Sequence, residues 1–288
     1  MDAPLNRGFL RKKALTYILW MSNAPYNPTG YGVVSRNIGF RLRDLGYDLD
    51  YLAYWGLEGN ALPIATAKGN QMTVYPKCFS EFGSDALKLC VENLKPDIFI
   101  SLFDVWVSYV GGAHWLPKAH PKWLPYTPID SLPLPQPVYD EIKYAFKPIA
   151  MSLFGYDQMT KAKLDAAYIP HGVDTKIFKP MNRNEARKNL MLPEDADFIV
   201  GVNAQNKGPR KNFDRIYQAF KLFLDENPSA KAYLYINTWP KFPEGLDLTA
   251  LTFMMRLDKK IVYTKEWKRY CGIPDEEMAA FYNACDIY

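Results

Sequence analysis

The sequence predicts an α/β protein of two domains, each built on a parallel sheet. Three observations carry this. Strand-like and helix-like runs alternate along all 288 residues. Many of the strand runs are near-continuously apolar, as strands covered on both faces are. Proline and glycine near 170–182 split the alternation into two series. Alternating strands and helices pair as parallel sheets with right-handed crossovers.

The first series has strands at 15–21, 48–54, 97–103, 123–127, 148–151 and 166–169, and the second at 197–203, 230–236, 260–264 and 285–288. In 31–45, Val34, Ile38, Leu42 and Leu45 share one stripe at helical spacing. In 211–225, Phe213, Ile216, Tyr217, Phe220 and Phe223 do the same. Ile169-Pro170-His171-Gly172-Val173-Asp174 closes the first series, and Phe178-Lys179-Pro180 leads into the second. The expected domains are therefore 1–173 and 174–288. A last helix at 274–284 opens with Pro274-Asp275-Glu276-Glu277, the proline-then-acid pattern of a helix start. Cys285-Asp286-Ile287-Tyr288 then reads as the opening of another strand, so the second domain is expected to be incomplete.

Composition excludes several classes. A net charge of +4 is too mild to indicate nucleic acid. Cys78, Cys90, Cys271 and Cys285 are widely spaced, with no CxxC pair, and the three histidines follow no ligand spacing. Reduced thiols in the cytoplasm are the expectation, without a disulfide framework or a metal site. Arg11-Lys12-Lys13 before the apolar run 14–21 mimics a secretory leader. The run is short and Pro25 follows, so it reads as a first buried strand. No apolar run approaches the ~20 residues that span a bilayer.

Three stretches carry candidate chemistry. Asn27-Pro28-Thr29-Gly30-Tyr31-Gly32-Val33 follows the first strand and opens a helix. Its glycines let backbone approach a ligand, and a helix N-terminus offers N–H groups to an anion. It lacks the third glycine of the dinucleotide fingerprint GxGxxG, which argues against a nicotinamide-dependent oxidoreductase or epimerase. Asn203-Ala204-Gln205-Asn206-Lys207-Gly208-Pro209-Arg210-Lys211-Asn212 sets three cations beside the start of the helix at 211–225, a place suited to two phosphates. Trp123-Leu124-Pro125-Tyr126-Thr127-Pro128-Ile129-Asp130-Ser131 carries Asp130 to the carboxyl edge of the first sheet, where Asp104 also arrives. Ligands of open α/β sheets gather at that edge.

In order, these stretches resemble the retaining glycosyltransferases of family 4, with the GT-B fold. The resemblance covers essentially the whole chain. Its most specific parts are 168–180 (YIPHGVDTKIFKP), the 209–212 turn (PRKN) and 272–286 (GIPDEEMAAFYNACD), while 126–131 (YTPIDS) looks like a subgroup of that family. It implies two facing Rossmann-like domains with a cleft between them. A nucleoside-diphosphate sugar donor would sit mainly on the second domain. A sugar, lipid-linked or other hydroxyl acceptor would sit mainly on the first. No metal or other cofactor is implied, and peripheral membrane contact is compatible with the resemblance.

The family uses an Arg and a Lys near the start of the second domain to neutralise the diphosphate. Lys211 matches the Lys; Gln205 stands where the Arg is expected and supplies no charge. Arg210 and Lys207 are the cations that would compensate. Gly30, Tyr31 and Gly32 would approach the donor phosphates or the acceptor, and Tyr263 and Thr264 would line the base. The first-domain His common in relatives has no counterpart in Pro128-Ile129-Asp130, which leaves the polar role to Asp130. His114 and His120 are close in sequence, and His171 reads as structural. The family's Glu-x7-Glu motif would begin just after Tyr288, so the resemblance implies a chain truncated before it. A remnant that binds donor without turnover is the alternative expectation.

Overall fold

The computed structural model describes residues 16–107 and 121–288. Arg11, Lys12, Lys13, His114 and His120 lie outside the described residues. The chain divides into two compact units, Met1–Gly172 and Val173–Tyr288.

The first unit holds an eight-stranded sheet. In chain order its elements are β1 (Tyr17–Asn23), α1 (Gly30–Asp44), β2 (Asp48–Trp55), β3 (Leu62–Ala65), β4 (Gln71–Pro76), α2 (Ser84–Leu94), β5 (Ile98–Leu102), β6 (Lys122–Thr127), α3 (Gln136–Ile142), β7 (Ile149–Ala150), α4 (Leu153–Lys161) and β8 (Ala167–Tyr168). The strand order is β3-β4-β2-β1-β5-β6-β7-β8. All neighbours are parallel except β3 and β4, whose pairing is antiparallel. β3 and β4 were not expected from the sequence; β3 is a largely exposed edge strand with a proline, so it lacks the apolar run that marks a central strand.

Every residue of β1 is buried, as a central parallel strand requires. Helix α1 lies close to the sheet because its buried face is small: Gly32, Ser35 and Gly39. A side chain at Gly39 would meet the Tyr51 hydroxyl at 2.0 Å. That close approach lets Trp20 donate to Ser35 Oγ at 3.1 Å, and Tyr51 donate to the Ser35 carbonyl at 2.9 Å. Two polar ring tips buried in the core are satisfied in this way.

The second unit contains α5 (Arg183–Asn189), β9 (Phe198–Asn203), a 3-10 turn (Pro209–Lys211), α6 (Phe213–Glu226), β10 (Ala232–Asn237), α7 (Leu248–Met254), β11 (Ile261–Tyr263), α8 (Glu266–Cys271) and α9 (Asp275–Ala284). Its parallel sheet has the order β11-β10-β9. Phe213, Tyr217 and Phe220 bury the apolar face of α6 against Leu234 and Ile236. The expected strand at 285–288 forms a single parallel bridge, Val200 to Ile287, on the free side of β9. Asp286 fastens that segment: its carboxylate accepts from Arg183, Arg187 and the Ile199 backbone N–H.

Candidate functional site

Each unit reverses its strand order at one point, and in open α/β sheets ligands bind beyond the strand ends at such a point. In the first unit the reversal falls between β1 and β5. The segment after β1 contains the Gly30–Gly32 turn, and Asp104 follows β5. Tyr31 joins them, donating to Asp104 Oδ2 at 3.2 Å. Burial, with Asp104 beside it, raises the Tyr31 hydroxyl above the ordinary tyrosine range; Tyr54 and Asp130 add smaller contributions. Burial likewise pushes Tyr54 up to about 12, helped by Asp104. Tyr31, Tyr54, Asp104 and Asp130 therefore converge on one edge. Asp130 is exposed and accepts from Ser131 at 3.1 Å.

Local sequence sets this edge. Thr29 caps α1, its Oγ1 accepting from Gly32 N–H at 3.1 Å and from Asn23 Nδ2 at 2.7 Å. The two glycines of the turn differ. A Cβ at Gly32 would lie 2.1 Å from the Asn27 carbonyl oxygen, so the fold itself requires glycine there. A Cβ at Gly30 would meet nothing within 4 Å, and Gly30 is exposed outside the left-handed region. Neither packing nor backbone conformation requires glycine at Gly30.

In the second unit the reversal falls at β9, with β10 on one side and Ile287 on the other. The segment leaving β9 carries Gln205, Lys207, Arg210 and Lys211. Asn206, only 1% exposed, organises it. Its N–H donates to Thr238 Oγ1 at 2.9 Å, its Nδ2 to the Leu246 carbonyl at 2.7 Å, and its Oδ1 accepts from Leu246 N–H at 3.1 Å. Gly208 N–H donates to the Glu244 carbonyl at 2.7 Å. The turn and the 238–246 loop are thus tied into one piece. Sequence reasoning passed over Asn206 because its role depends on a partner more than thirty residues away.

The cations of this turn differ in their partners. Lys207 is paired with Glu244 at 2.9 Å, so its charge is neutralised at short range. The side chains of Arg210 and Lys211 make no hydrogen bond or ion pair with a described residue; Lys211 is half-buried and Arg210 exposed. Gln205 is exposed. The helix expected from 211 begins at Phe213, because Lys211 belongs to the 3-10 turn and Asn212 adopts the left-handed conformation, φ 48°. No side chain caps α6, which leaves its first-turn N–H groups to other acceptors.

Tyr263 and Thr264 stand at the end of β11. The Tyr263 hydroxyl shares a hydrogen bond of 2.6 Å with Tyr217, and Thr264 is buried. Arg269 and Trp239, which sequence reasoning missed, flank them. The Arg269 guanidinium lies 5.2 Å from the centre of the Trp239 ring and donates to the Thr264 carbonyl. A tryptophan after one strand and an arginine after the next carry no local signal of being neighbours. His171 packs edge-on against Tyr126 at 5.3 Å, and burial lowers its basicity. Among the described residues no group of three or more acids, histidines or cysteines could hold a metal ion, and no helix is long and apolar enough to cross a membrane.

No protein-family model matches the chain, and no curated protein matches it in sequence. Solved structures do match. A glycosyltransferase from Rickettsia africae ESF-5 superposes with a TM-score of 0.59 at 14% identity, over 95% of this chain and 72% of that one. Anabaena Alr3699/HepE in complex with UDP gives 0.62 at 12% identity, over 95% and 73%. A trehalose-6-phosphate protein from E. coli bound with UDP-2-fluoro glucose gives 0.60 at 9% identity, over 94% and 77%. At such identities the likeness establishes architecture: the chain has the α/β fold of the GT-B glycosyltransferases.

Proposed function

We propose that this chain is a family 4-like glycosyltransferase that moves a sugar from a nucleoside-diphosphate sugar to an acceptor hydroxyl, with retention at the anomeric carbon. The donor belongs to the Val173–Tyr288 unit and the acceptor to the Met1–Gly172 unit. The observation that carries this is the turn after β9, where Arg210 and Lys211 have no side-chain partner among the described residues, beside the uncapped start of α6. Departure of a nucleoside diphosphate builds negative charge on its β-phosphate oxygens. Fixed cations and N–H groups aimed at that charge lower the barrier. UDP and a UDP-sugar analogue bound to two proteins of the same fold support a nucleotide donor.

Lys211 is the principal charge-stabilising residue and Arg210 the second. Lys207, occupied by Glu244, contributes to the turn's shape, and Gln205 offers a neutral amide where the family has a cation. On the acceptor side, Gly30 and Tyr31 border the ligand and Asp130 contacts an acceptor hydroxyl, while Gly32 shapes the turn. Retention follows from attack on the face the leaving group vacates, with the acceptor proton passing to a phosphate oxygen. A nucleotide-sugar substrate and free cysteines suit a cytoplasmic location. The neutral Gln205 favours one second reading, a protein that binds donor without transferring the sugar. Incubating the purified chain with UDP-, GDP- and ADP-sugars and following nucleoside diphosphate release separates the readings. Release sensitive to Lys211→Ala supports transfer, and binding without release supports the second reading.

A further inference from the structure

The donor edge of the second unit contains a cation that the family comparison does not anticipate. Arg269 sits on α8 beyond the end of β11. Its guanidinium lies over the ring of Trp239, which follows β10, and donates to the Thr264 carbonyl. Its Nε is shielded from solvent without a hydrogen-bond partner, and no described residue accepts from its Nη2. Two other cations on these segments are matched: Lys268 pairs with Glu277, and Lys241 with Asp247 at 3.0 Å. Glu266 and Tyr263 act on Arg269 through space without pairing to it, and burial lowers its basicity more than they restore it. A half-buried guanidinium with a shielded, unused Nε and no carboxylate partner is open to a further acceptor on its exposed side.

Its place says what completes it. Neighbouring strands are about 4.8 Å apart, so β11 ends roughly 10 Å along the sheet edge from the turn that leaves β9. A nucleotide lying along that edge with its phosphates at Lys211 would extend toward the end of β11, where Tyr263, Arg269 and Trp239 are gathered. A guanidinium donates and cannot accept. Uracil offers carbonyl acceptors and guanine an O6/N7 pair, whereas adenine turns an amine donor toward the same position.

Resting on the donor reading above, we propose that Arg269, held over Trp239, reads the base of the donor nucleotide and selects a carbonyl-bearing base, uracil or guanine, over adenine. The Trp239 ring supports the guanidinium from one side, and the bond to the Thr264 carbonyl orients it. A lysine has neither the plane nor the fork to replace it.

The test is calorimetric titration of the full chain with UDP, GDP and ADP, with thermal melting as a control for folding. The wild type is expected to bind UDP or GDP about tenfold more tightly than ADP. Arg269→Met keeps an unbranched stem over Trp239 and removes the donors. It should weaken the preferred nucleotide until the three agree within about threefold, with ADP affinity unchanged. Should that variant fail to fold, Arg269→Leu carries the same expectation. Lys211→Ala, by contrast, should weaken all three nucleotides alike. Retention of the base preference in Arg269→Met or Arg269→Leu overturns the inference, as does equal binding of all three by the wild type, and in both cases the donor reading stands. A wild type that binds none of the three removes the donor reading and this inference with it.

Discussion

Gly30 and Gly32 lie two residues apart in one turn, yet alanine should act on them in opposite ways. At Gly32 the added Cβ would sit 2.1 Å from the Asn27 carbonyl oxygen and 2.9 Å from that of Ala24. The nearer contact is more than roughly 1 Å inside ordinary van der Waals distance. Both obstacles are backbone, and the Asn27 and Ala24 carbonyls belong to a turn closed by the Asn27 N–H to Ala24 carbonyl bond of 2.9 Å. Neither can rotate away as a side chain would. Overpacking of this kind costs about 1–3 kcal/mol and more where the neighbours are rigid. Gly32→Ala also threatens the Thr29 cap, because the Gly32 N–H donates to Thr29. A loss near 3 kcal/mol corresponds to a fall in melting temperature of roughly 6–12 °C for a unit of this size. At Gly30 the Cβ meets nothing, so Gly30→Ala should melt within about 1–2 °C of the wild type. If Gly30 is kept for ligand approach, Gly30→Ala should nevertheless raise KM. Calorimetric melting of both variants, followed by donor and acceptor titrations, makes the comparison. A Gly32→Ala protein as stable as the wild type, or a Gly30→Ala protein equally damaged, refutes the packing argument.

Other outcomes follow from the same geometry. Lys211→Ala should lower turnover at least ~100-fold, as removal of one preorganised donor does, while leaving the melting temperature in place because the ammonium has no partner among the described residues; steady-state kinetics and melting check both halves. Asn206→Leu removes the Nδ2 and Oδ1 bonds and strands the Leu246 carbonyl and N–H, so it should destabilise the second unit by about 2–4 kcal/mol in urea denaturation. Asp286→Ala leaves Arg187 and the Ile199 N–H without their acceptor. It should cost about 3 kcal/mol and loosen 285–288 first, visible as faster amide exchange at Ile287. Tyr31→Phe deletes the bond to Asp104 and should cost only about 1 kcal/mol in stability; an acceptor KM that moves while donor KM does not would place Tyr31 on the acceptor side.

The architecture was largely legible in the linear pattern. Strand runs such as 48–54 and 197–203, and the aromatic stripe of 211–225, announce buried parallel strands and a covering helix. Burial on both faces or on one stripe leaves a period that needs no partner to be seen. β3 escaped because an exposed edge strand with Pro63 has no such period. The strand end that each motif follows was also legible: Gly30, Asp104, Asp130 and Lys211 lie in the segments after β1, β5, β6 and β9.

What the linear pattern does not contain is which charges cancel. Lys207, Arg210 and Lys211 look alike in sequence, and only the approach of Glu244 from another loop neutralises the first of them. Gly30 and Gly32 are likewise indistinguishable until the Asn27 carbonyl is seen to crowd one and not the other. Arg269 finds Trp239 thirty residues upstream because β10 and β11 are adjacent in the sheet. Periodicity is a local property and determines the elements. Partners in electrostatics, packing and hydrogen bonding are set by which strand ends lie side by side, and tertiary structure alone decides that.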